Sequence, residues 1–225
     1  MLTPILAASA CGYLLGSLPF GYIVARARGV NIFEVGSRNP GATNVRRVLG
    51  WGPGNLVLAL DMLKGALASS WALLRFSTGD ATGPFGGPAG WLGPEAGPDD
   101  WVTIGIAGLV GAMAGHSFSC FTTLRGGKGV ATGAGGFAVI FPHGALVALA
   151  VWLATAAVSR YVSLASMLAA VSLPVAALVQ GRGPVLLGAC SAVALFVIQR
   201  HRSNISRFLA GTENKLGRPP AAPKS

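Results

Sequence analysis

The sequence predicts an all-α fold class: a polytopic integral membrane helix bundle of about seven transmembrane helices, with the N-terminus outside and the C-terminus cytoplasmic. Three observations carry this. Apolar residues make up 52% of the 225 residues and charged ones only 11%, against about 25% charged in ordinary soluble domains. Several apolar stretches approach the roughly 20 residues that cross a bilayer as helix. The basic residues gather at the ends of those stretches, where they set orientation.

Taken in order, the first span is 2–24. Its apolar run from Leu2 to Val24 has no basic leader and outlasts the hydrophobic region of a typical signal peptide. Cys11 follows small residues, as at a lipoprotein site, but lies in mid-run. Spans at 54–75 and 101–116 follow. From Gly129 to Val158 there are 30 residues, roughly 45 Å as helix against a hydrocarbon core of about 30 Å. One helix would overshoot, and "FPHG" at 141–144 is a natural turn, so two short spans, 130–142 and 143–158, are expected. The last two are 162–180 and 184–200. Small residues recur as Gly12-x-x-x-Gly16 and as Gly105, Gly108, Gly111 and Gly115, the pattern that lets membrane helices approach closely.

Charge tests this layout. With seven spans, the segments 25–53, 117–129, 159–161 and the tail from 200 share one side and hold 14 of the 17 Lys and Arg residues. By the positive-inside rule that side is cytoplasmic. The 76–100 loop, with Asp80, Glu95, Asp99 and Asp100, then faces out as an irregular, solvated loop. The chain reads as a single transmembrane catalytic domain, 1–209, with a cytoplasmic tail, 210–225. The net charge of +10 is explained by orientation, and no nucleic-acid partner is expected. Cys11, Cys120 and Cys190 show neither a disulfide framework nor zinc spacing and read as small buried hydrophobes.

Four stretches converge on the basic face: "GSRNPGATNVRR" (36–47), "GHSFSCFTTLRGGKGVATGAGG" (115–136), "SRYVSLAS" (159–166) and "QRHRSNISRFLAGTENKLG" (199–217). All combine small or hydroxyl residues with Arg or Lys. Glycine-rich backbone presents N–H groups to an oxyanion and a neighbouring cation supplies charge. "RGGKG" at 125–129 has that character and precedes a helix N-terminus, whose dipole also favours anions. It is not a Walker A loop, because Gly129 stands where Ser or Thr is needed. Glu34 and Glu213 are the only acids on this face, so no metal and no other cofactor is expected. Arg47, Lys128 and Arg160, set among small polar residues at span ends, read as anion ligands, whereas Arg26, Arg28 and Arg218 read as topology signals. His143 reads as structural, and His116 either caps a helix or acts directly. His201, beside Arg200, Arg202 and Asn204, is the better candidate for substrate contact. Asp61 and Lys64, i and i+3 within a span, are either an ion pair that stabilises the bundle or catalytic groups.

These four stretches, together with "LDMLKG" at 60–65, resemble the bacterial acyl-phosphate:glycerol-3-phosphate acyltransferases, integral membrane enzymes of phospholipid synthesis. The resemblance runs in register from the first span to the C-terminal tail, the acidic outer loop apart. Two positions depart from the family pattern: Ser119 stands where proline is usual, and Leu124-Arg125 replaces Phe-Lys. The resemblance implies a seven-helix bacterial inner-membrane protein with its active site at the cytoplasmic face. It implies fatty acyl transfer from acyl phosphate to the 1-hydroxyl of sn-glycerol 3-phosphate, yielding lysophosphatidic acid and phosphate. The partners are these two small molecules and membrane lipid; acyl-chain preference and oligomeric state, a monomer included, are left open.

On that resemblance, Ser37, Asn39, Thr43, Asn44 and Arg47 are expected around one phosphate or the developing oxyanion. Lys128 with the Gly126, Gly127 and Gly129 backbone would hold the leaving group, and Ser159, Arg160 and Ser163 would complete that pocket. His201 and Asn204 would orient glycerol 3-phosphate, with Glu213 ordering the loop. The hydroxyl proton goes to His201 or, preferably, to a substrate phosphate oxygen, since no orienting carboxylate is evident near His201. The alternative from another class is a membrane transporter for an organic phosphate, which calls for charge or broken helices near the bilayer midplane and some inverted repeat. The sequence shows no convincing repeat.

Overall fold

The computed structural model describes residues 1–76 and 98–217, and among the described residues the regular secondary structure is all helical. In chain order the helices are α1 (Leu2–Gly16), α2 (Phe20–Arg26), α3 (Ala42–Leu49), α4 (Trp51–Ser69), α5 (Pro98–Ser117), α6 (Val130–Ile140), α7 (Pro142–Ser159), α8 (Val162–Val179), α9 (Pro184–Arg200) and α10 (Arg202–Leu209). The expected outer loop with Asp80 and Glu95, and the tail with Arg218 and Lys224, lie outside the described residues.

The breaks have local causes. α1 and α2 form one apolar segment, Leu2–Arg26, interrupted at Pro19, which lacks an N–H and disfavours helix at the residue before it. The Leu18 carbonyl at this break accepts a hydrogen bond from Lys64 Nζ at 3.0 Å. Between α6 and α7 the chain turns at Phe141, and Pro142 opens α7, where the missing N–H costs nothing. The stretch 129–158 is therefore two helices, as its length requires. Among the described residues, five helical segments are long and apolar enough to cross a membrane, and a sixth if α9 and α10, bent by 55°, count as one. α6 has 11 residues, about 16 Å, roughly half a hydrocarbon core.

Packing follows the small residues. α1 lies along α5, with Gly12 and Gly16 so close that a Cβ would collide with the Gly108 and Ala112 carbonyls. α4 lies along α6 in the same way, Gly65 against the Thr132 carbonyl and Gly135 against that of Met62. The main core joins Leu109 and Met113 of α5, Phe137 and Ile140 of α6, Leu173 of α8, and Cys190, Val193 and Val197 of α9. Of the cysteines only Cys190 is buried; Cys11 and Cys120 are exposed. α1 buries Pro4, Ala8, Gly12 and Gly16, an i, i+4 stripe that leaves Cys11 pointing away.

Two short basic helices, α3 and α10, sit where the sequence suggests loops. α3 packs Val45 into a second cluster with Ala25, Ile32, Phe33 and Val57, and Arg46 stacks over Trp51, 4.0 Å from the ring centre.

Candidate active site

Asn44 shapes the first basic segment. It is 2% exposed; its Oδ1 accepts from the Ser37 N–H at 2.8 Å and its Nδ2 donates to the Val35 carbonyl at 3.1 Å. Asn39 Oδ1 accepts from the Gly41 N–H at 2.9 Å, an Asx turn that leads into α3. One helical turn beyond Asn44, Arg47 reaches the same space and approaches Asn44 Oδ1 at 3.4 Å.

The glycine loop comes from the α5–α6 connection. Ser119 donates its hydroxyl to the Ser17 carbonyl at 2.5 Å and adopts φ −66° and ψ 127°, a conformation that proline itself takes. The path of the loop thus tolerates serine where the family usually has proline. Gly129 has φ 79°, the left-handed region open to glycine, and starts α6. Arg200, the last residue of α9, donates Nη2 to the Gly127 carbonyl at 2.9 Å and to that of Gly126 at 3.4 Å. Asn39 Nδ2 approaches the Gly126 carbonyl at 3.4 Å. Three chain segments distant in sequence meet at this loop.

The C-terminal segment closes the ring. Glu213 accepts from Ser163 Oγ at 2.8 Å, Asn204 Nδ2 at 2.6 Å and Arg207 Nε at 2.8 Å. Asn204 Oδ1 in turn accepts a short hydrogen bond from Lys128 Nζ. His201 is 3% exposed, with Nδ1 2.8 Å from the Val197 carbonyl.

Charges in this cluster are perturbed. Burial pushes the Lys128 ammonium down to about 8; Glu213 opposes the shift, while Arg207, Arg200 and Arg47 add to it. Burial, then the Lys128 charge, pushes His201 down to about 4, so it is neutral at pH 7. Burial also lowers Arg47, against the pull of Glu213. For Glu213 burial acts upward, but the hydrogen bonds from Asn204, Ser163 and Arg207 and the Arg207 charge outweigh it and hold the carboxyl below its usual value.

These groups line one end of a single cavity of about 830 Å³. Ser37, Asn39, Thr43, Asn44, Arg47, Lys128, Gly129, Ser163, His201, Asn204 and Glu213 all border it. Its other end is apolar, walled by Met62, Phe137, Leu146, Leu149, Trp152 and Leu173. Gly126 and Gly127 border instead a small recess behind the loop. Ser159 closes the end of α7, donating to the Thr155 carbonyl at 2.6 Å and accepting from the Tyr161 N–H at 3.1 Å. Arg160 donates to the Leu216 carbonyl at 2.8 Å and so fastens the C-terminal segment. Arg207, also on the cavity wall, escapes the sequence reading. The signal was present: His201, Asn204 and Arg207 recur every three residues and share one face. Among the described residues no group of three or more His, Cys, Asp or Glu side chains could hold a metal ion.

Residues 6–211 match the sequence profile of a family described as glycerol-3-phosphate acyltransferase. The chain belongs to the glycerol-3-phosphate acyltransferase family. A glycerol-3-phosphate acyltransferase of Desulforamulus reducens is 42% identical over 208 residues, covering 91% of this chain and 92% of the relative. One of Thermosynechococcus vestitus is 43% identical over 209 residues, with 91% and 92% covered. The crystal structure of PlsY, an integral membrane glycerol 3-phosphate acyltransferase, in its glycerol 3-phosphate form superposes with a TM-score of 0.78 at 35% identity, covering 95% of this chain and 96% of that one. Its lysophosphatidic acid form gives 0.76 at 35% identity, with 95% of each chain covered. In this member of the acyltransferase family, the cavity joins a cationic end to an apolar end, the division an amphiphile with a phosphate head requires.

Proposed function

We propose that this chain transfers a fatty acyl group from acyl phosphate to the 1-hydroxyl of glycerol 3-phosphate, giving lysophosphatidic acid and inorganic phosphate. The observation that carries the reading is the continuity of the cavity, from Arg47, Lys128 and Arg207 at one end to Phe137, Leu149 and Trp152 at the other. The acyl chain lies against the apolar wall, which puts its carbonyl carbon at the junction with the cations. A phosphate joined directly to that carbonyl then meets Lys128. The positive-inside bias puts this end at the cytoplasmic face of the bacterial inner membrane.

The hydroxyl oxygen of glycerol 3-phosphate attacks the acyl carbonyl, the bond from that carbon to the phosphate oxygen breaks, and phosphate leaves carrying the electron pair. Acyl phosphate is a mixed anhydride, so positioning and charge stabilisation suffice. Lys128 and Arg47 neutralise the phosphates, and His201 and Asn204 orient the glycerol. With Nδ1–H donated to the Val197 carbonyl, His201 offers Nε2 to the hydroxyl as an acceptor. Its pKa of about 4 makes it a weaker base than a phosphate monoester, whose second pKa is about 6. The proton therefore ends on a phosphate oxygen.

The test supplies purified protein in detergent or lipid with glycerol 3-phosphate and either palmitoyl phosphate or palmitoyl-CoA, following phosphate and lysophosphatidic acid together. Equal formation of both from palmitoyl phosphate alone is expected. Product from palmitoyl-CoA alone would overturn the donor, and product from neither would overturn the reading.

A further inference from the structure

The cavity is open on one side. α4 packs on α6, and α7 packs on α8 and α6, so the two flanking helices meet across α6, an 11-residue helix that reaches about half-way through a hydrocarbon core. Leu58 and Met62 of α4 and Leu146 and Leu149 of α7 border the cavity and are at the same time exposed. Side chains that do both mark the rim of an opening, and along membrane-spanning helices it opens to lipid. At the basic end of this rim stands Trp51, 66% exposed and likewise on the cavity border, a residue suited to the level of the lipid headgroups.

Arg46 is fixed against that ring by the backbone. Gly50, at φ 90°, lets α3 turn straight into α4, and Gly54 lies so close beneath Arg46 that a Cβ there would collide with the arginine's own. The stem is thus held on α4 while the guanidinium lies over Trp51, its Cζ 4.0 Å from the ring centre. A stacked guanidinium keeps its N–H groups in its own plane, turned outward for an oxyanion. Among the described residues no carboxylate pairs with it, and it borders the cavity. Arg47, about 100° farther round α3, points instead to Asn44. Orientation in the membrane accounts for a basic residue at this level, and Arg26 and Arg28, exposed and off the cavity, need no other reason. It does not account for a stem locked on a glycine, a head laid on an aromatic ring and a place beside the opening.

We propose that Arg46, seated on Trp51, is an entry subsite that takes the phosphate head of acyl phosphate from the bilayer and hands it to Arg47, while the acyl tail slides in between α4 and α7. This rests on the function proposed above, in which acyl phosphate is the donor. A route through water would wet the tail at a cost that grows with every methylene. The sideways route keeps the tail in lipid and asks only that something hold the head at the interface, which is where Arg46 stands. Arg46 binds the arriving substrate and takes no part in the chemistry. Glycerol 3-phosphate, which has no tail, enters the polar end from water and does not pass the opening.

The experiment measures steady-state kinetics of purified full-length protein in phosphatidylcholine nanodiscs, alongside thermal unfolding. Palmitoyl phosphate is varied as a mole fraction of the lipid and glycerol 3-phosphate in solution. Wild type is measured first: if it makes no lysophosphatidic acid from palmitoyl phosphate, the proposed function fails, and if it does, the variants test the entry subsite alone. Arg46→Gln is expected to unfold near the wild-type temperature and to raise KM for palmitoyl phosphate by about 5–20-fold, between the effect of a buried charged hydrogen bond and that of an exposed ion pair. Its kcat and its KM for glycerol 3-phosphate should move by less than about twofold. Adding Trp51→Leu should then cost little more, because the ring acts through the guanidinium. The subsite is overturned if KM for palmitoyl phosphate stays within about twofold of wild type, if kcat falls instead, if both KM values rise together, or if the two substitutions multiply independently. Nanodiscs with added phosphatidylglycerol separate substrate from bilayer lipid: a defect confined to them assigns Arg46 to an anionic phospholipid and overturns the proposal as well. Should Arg46→Gln not fold, Arg46→Lys keeps the charge but loses the flat stack and the forked edge. It is expected to raise KM for palmitoyl phosphate by about 2–5-fold, and no rise overturns the proposal.

Discussion

Replacing Lys128 by methionine should separate activity from stability. The ammonium is hydrogen-bonded to Asn204 and shares its surroundings with Arg47, Arg200 and Arg207. A charge about 4 Å from a phosphate at an effective dielectric near 20 contributes roughly 4 kcal/mol. Removal of one donor to a developing oxyanion typically costs about 2.7–4 kcal/mol, or 10²–10³ in rate. Lys128→Met should therefore lower kcat/KM for acyl phosphate by about 10²–10³-fold. Stability should not follow. Methionine fills the same stem volume, and the folded protein no longer buries an ammonium among three guanidiniums, so the unfolding temperature should hold or rise. The assay couples phosphate release to lysophosphatidic acid formation, with thermal unfolding run on the same samples. Retention of more than a tenth of wild-type kcat/KM would remove Lys128 from the leaving-group site, and a lost activity matched by lost folding would make it structural.

Titration gives an independent check. The free enzyme's Lys128, at about 8 against about 10.4 unfolded, loses its charge above that pH, so kcat/KM should fall about tenfold per unit there. Because the unfolded chain holds this proton up to about pH 10, stability should rise with pH between about 8 and 10, and Lys128→Met should abolish the rise. His201, at about 4, works at the acid end. As pH falls below about 6.5 the unfolded chain takes up a proton that the folded one refuses, so up to about 3 kcal/mol is lost between about pH 6.5 and 4. Scans of unfolding temperature on wild type and His201→Gln should show this difference, and the variant should keep more than about a tenth of the activity if His201 is not the general base. Asn44→Ala strands the Ser37 N–H and the Val35 carbonyl and should cost about 1–3 kcal/mol, read as a midpoint lower by several degrees. Glu213→Gln removes the group that opposes the fall in the Lys128 pKa, so the alkaline limb of kcat/KM should move to lower pH; an unmoved limb would assign that limb to another group.

Apolar length was legible in the sequence, and with it the positions of α1–α2, α4, α5, α7, α8 and α9. The break near Phe141 was legible because a 30-residue helix would overshoot and because "FPHG" reads as a turn, although Pro142 already opens α7. α3 and α10 were not. "ATNVRRVL" and "RSNISRFL" carry too few apolar residues to stand out, and their helices depend on packing Val45 against Ile32 and Val57 and on the bend at His201. The site residues that chemistry alone selects, Arg47, Lys128 and Asn204, were visible by type. Arg160 has the same type but is occupied with Leu216, and Gly126 and Gly127 face the wall behind the cavity. Contacts such as Arg200 to Gly127 or Asn39 to Gly126 join residues 73 and 87 apart in sequence, and no local pattern announces them.

The charge balance of the site fits the two anionic substrates proposed for it. Arg47, Lys128 and Arg207 line the cavity's polar end together with Glu213, and Asp61 also borders the cavity. The three hydrogen bonds that Glu213 accepts come from Ser163, Asn204 and Arg207, so most of its compensation goes to α8 and α10. Arg47 makes a long approach, 3.4 Å, to Asn44, and Lys128 is hydrogen-bonded to Asn204, which in turn donates to Glu213. The Arg47–Lys128 side carries more positive than negative charge; burial lowers both pKa values there, and neighbouring guanidiniums add to the fall against the pull of Glu213. A phosphate placed on that side raises both pKa values and removes the repulsion, and binding should take up a proton wherever the pH exceeds about 8. The same reasoning separates the two substrates. In the proposed reaction, acyl phosphate with its tail along Phe137 and Trp152 would meet the Arg47–Lys128 side, and glycerol 3-phosphate, which has no tail, would rely on Asn204 and His201, which Glu213 and the Val197 carbonyl orient.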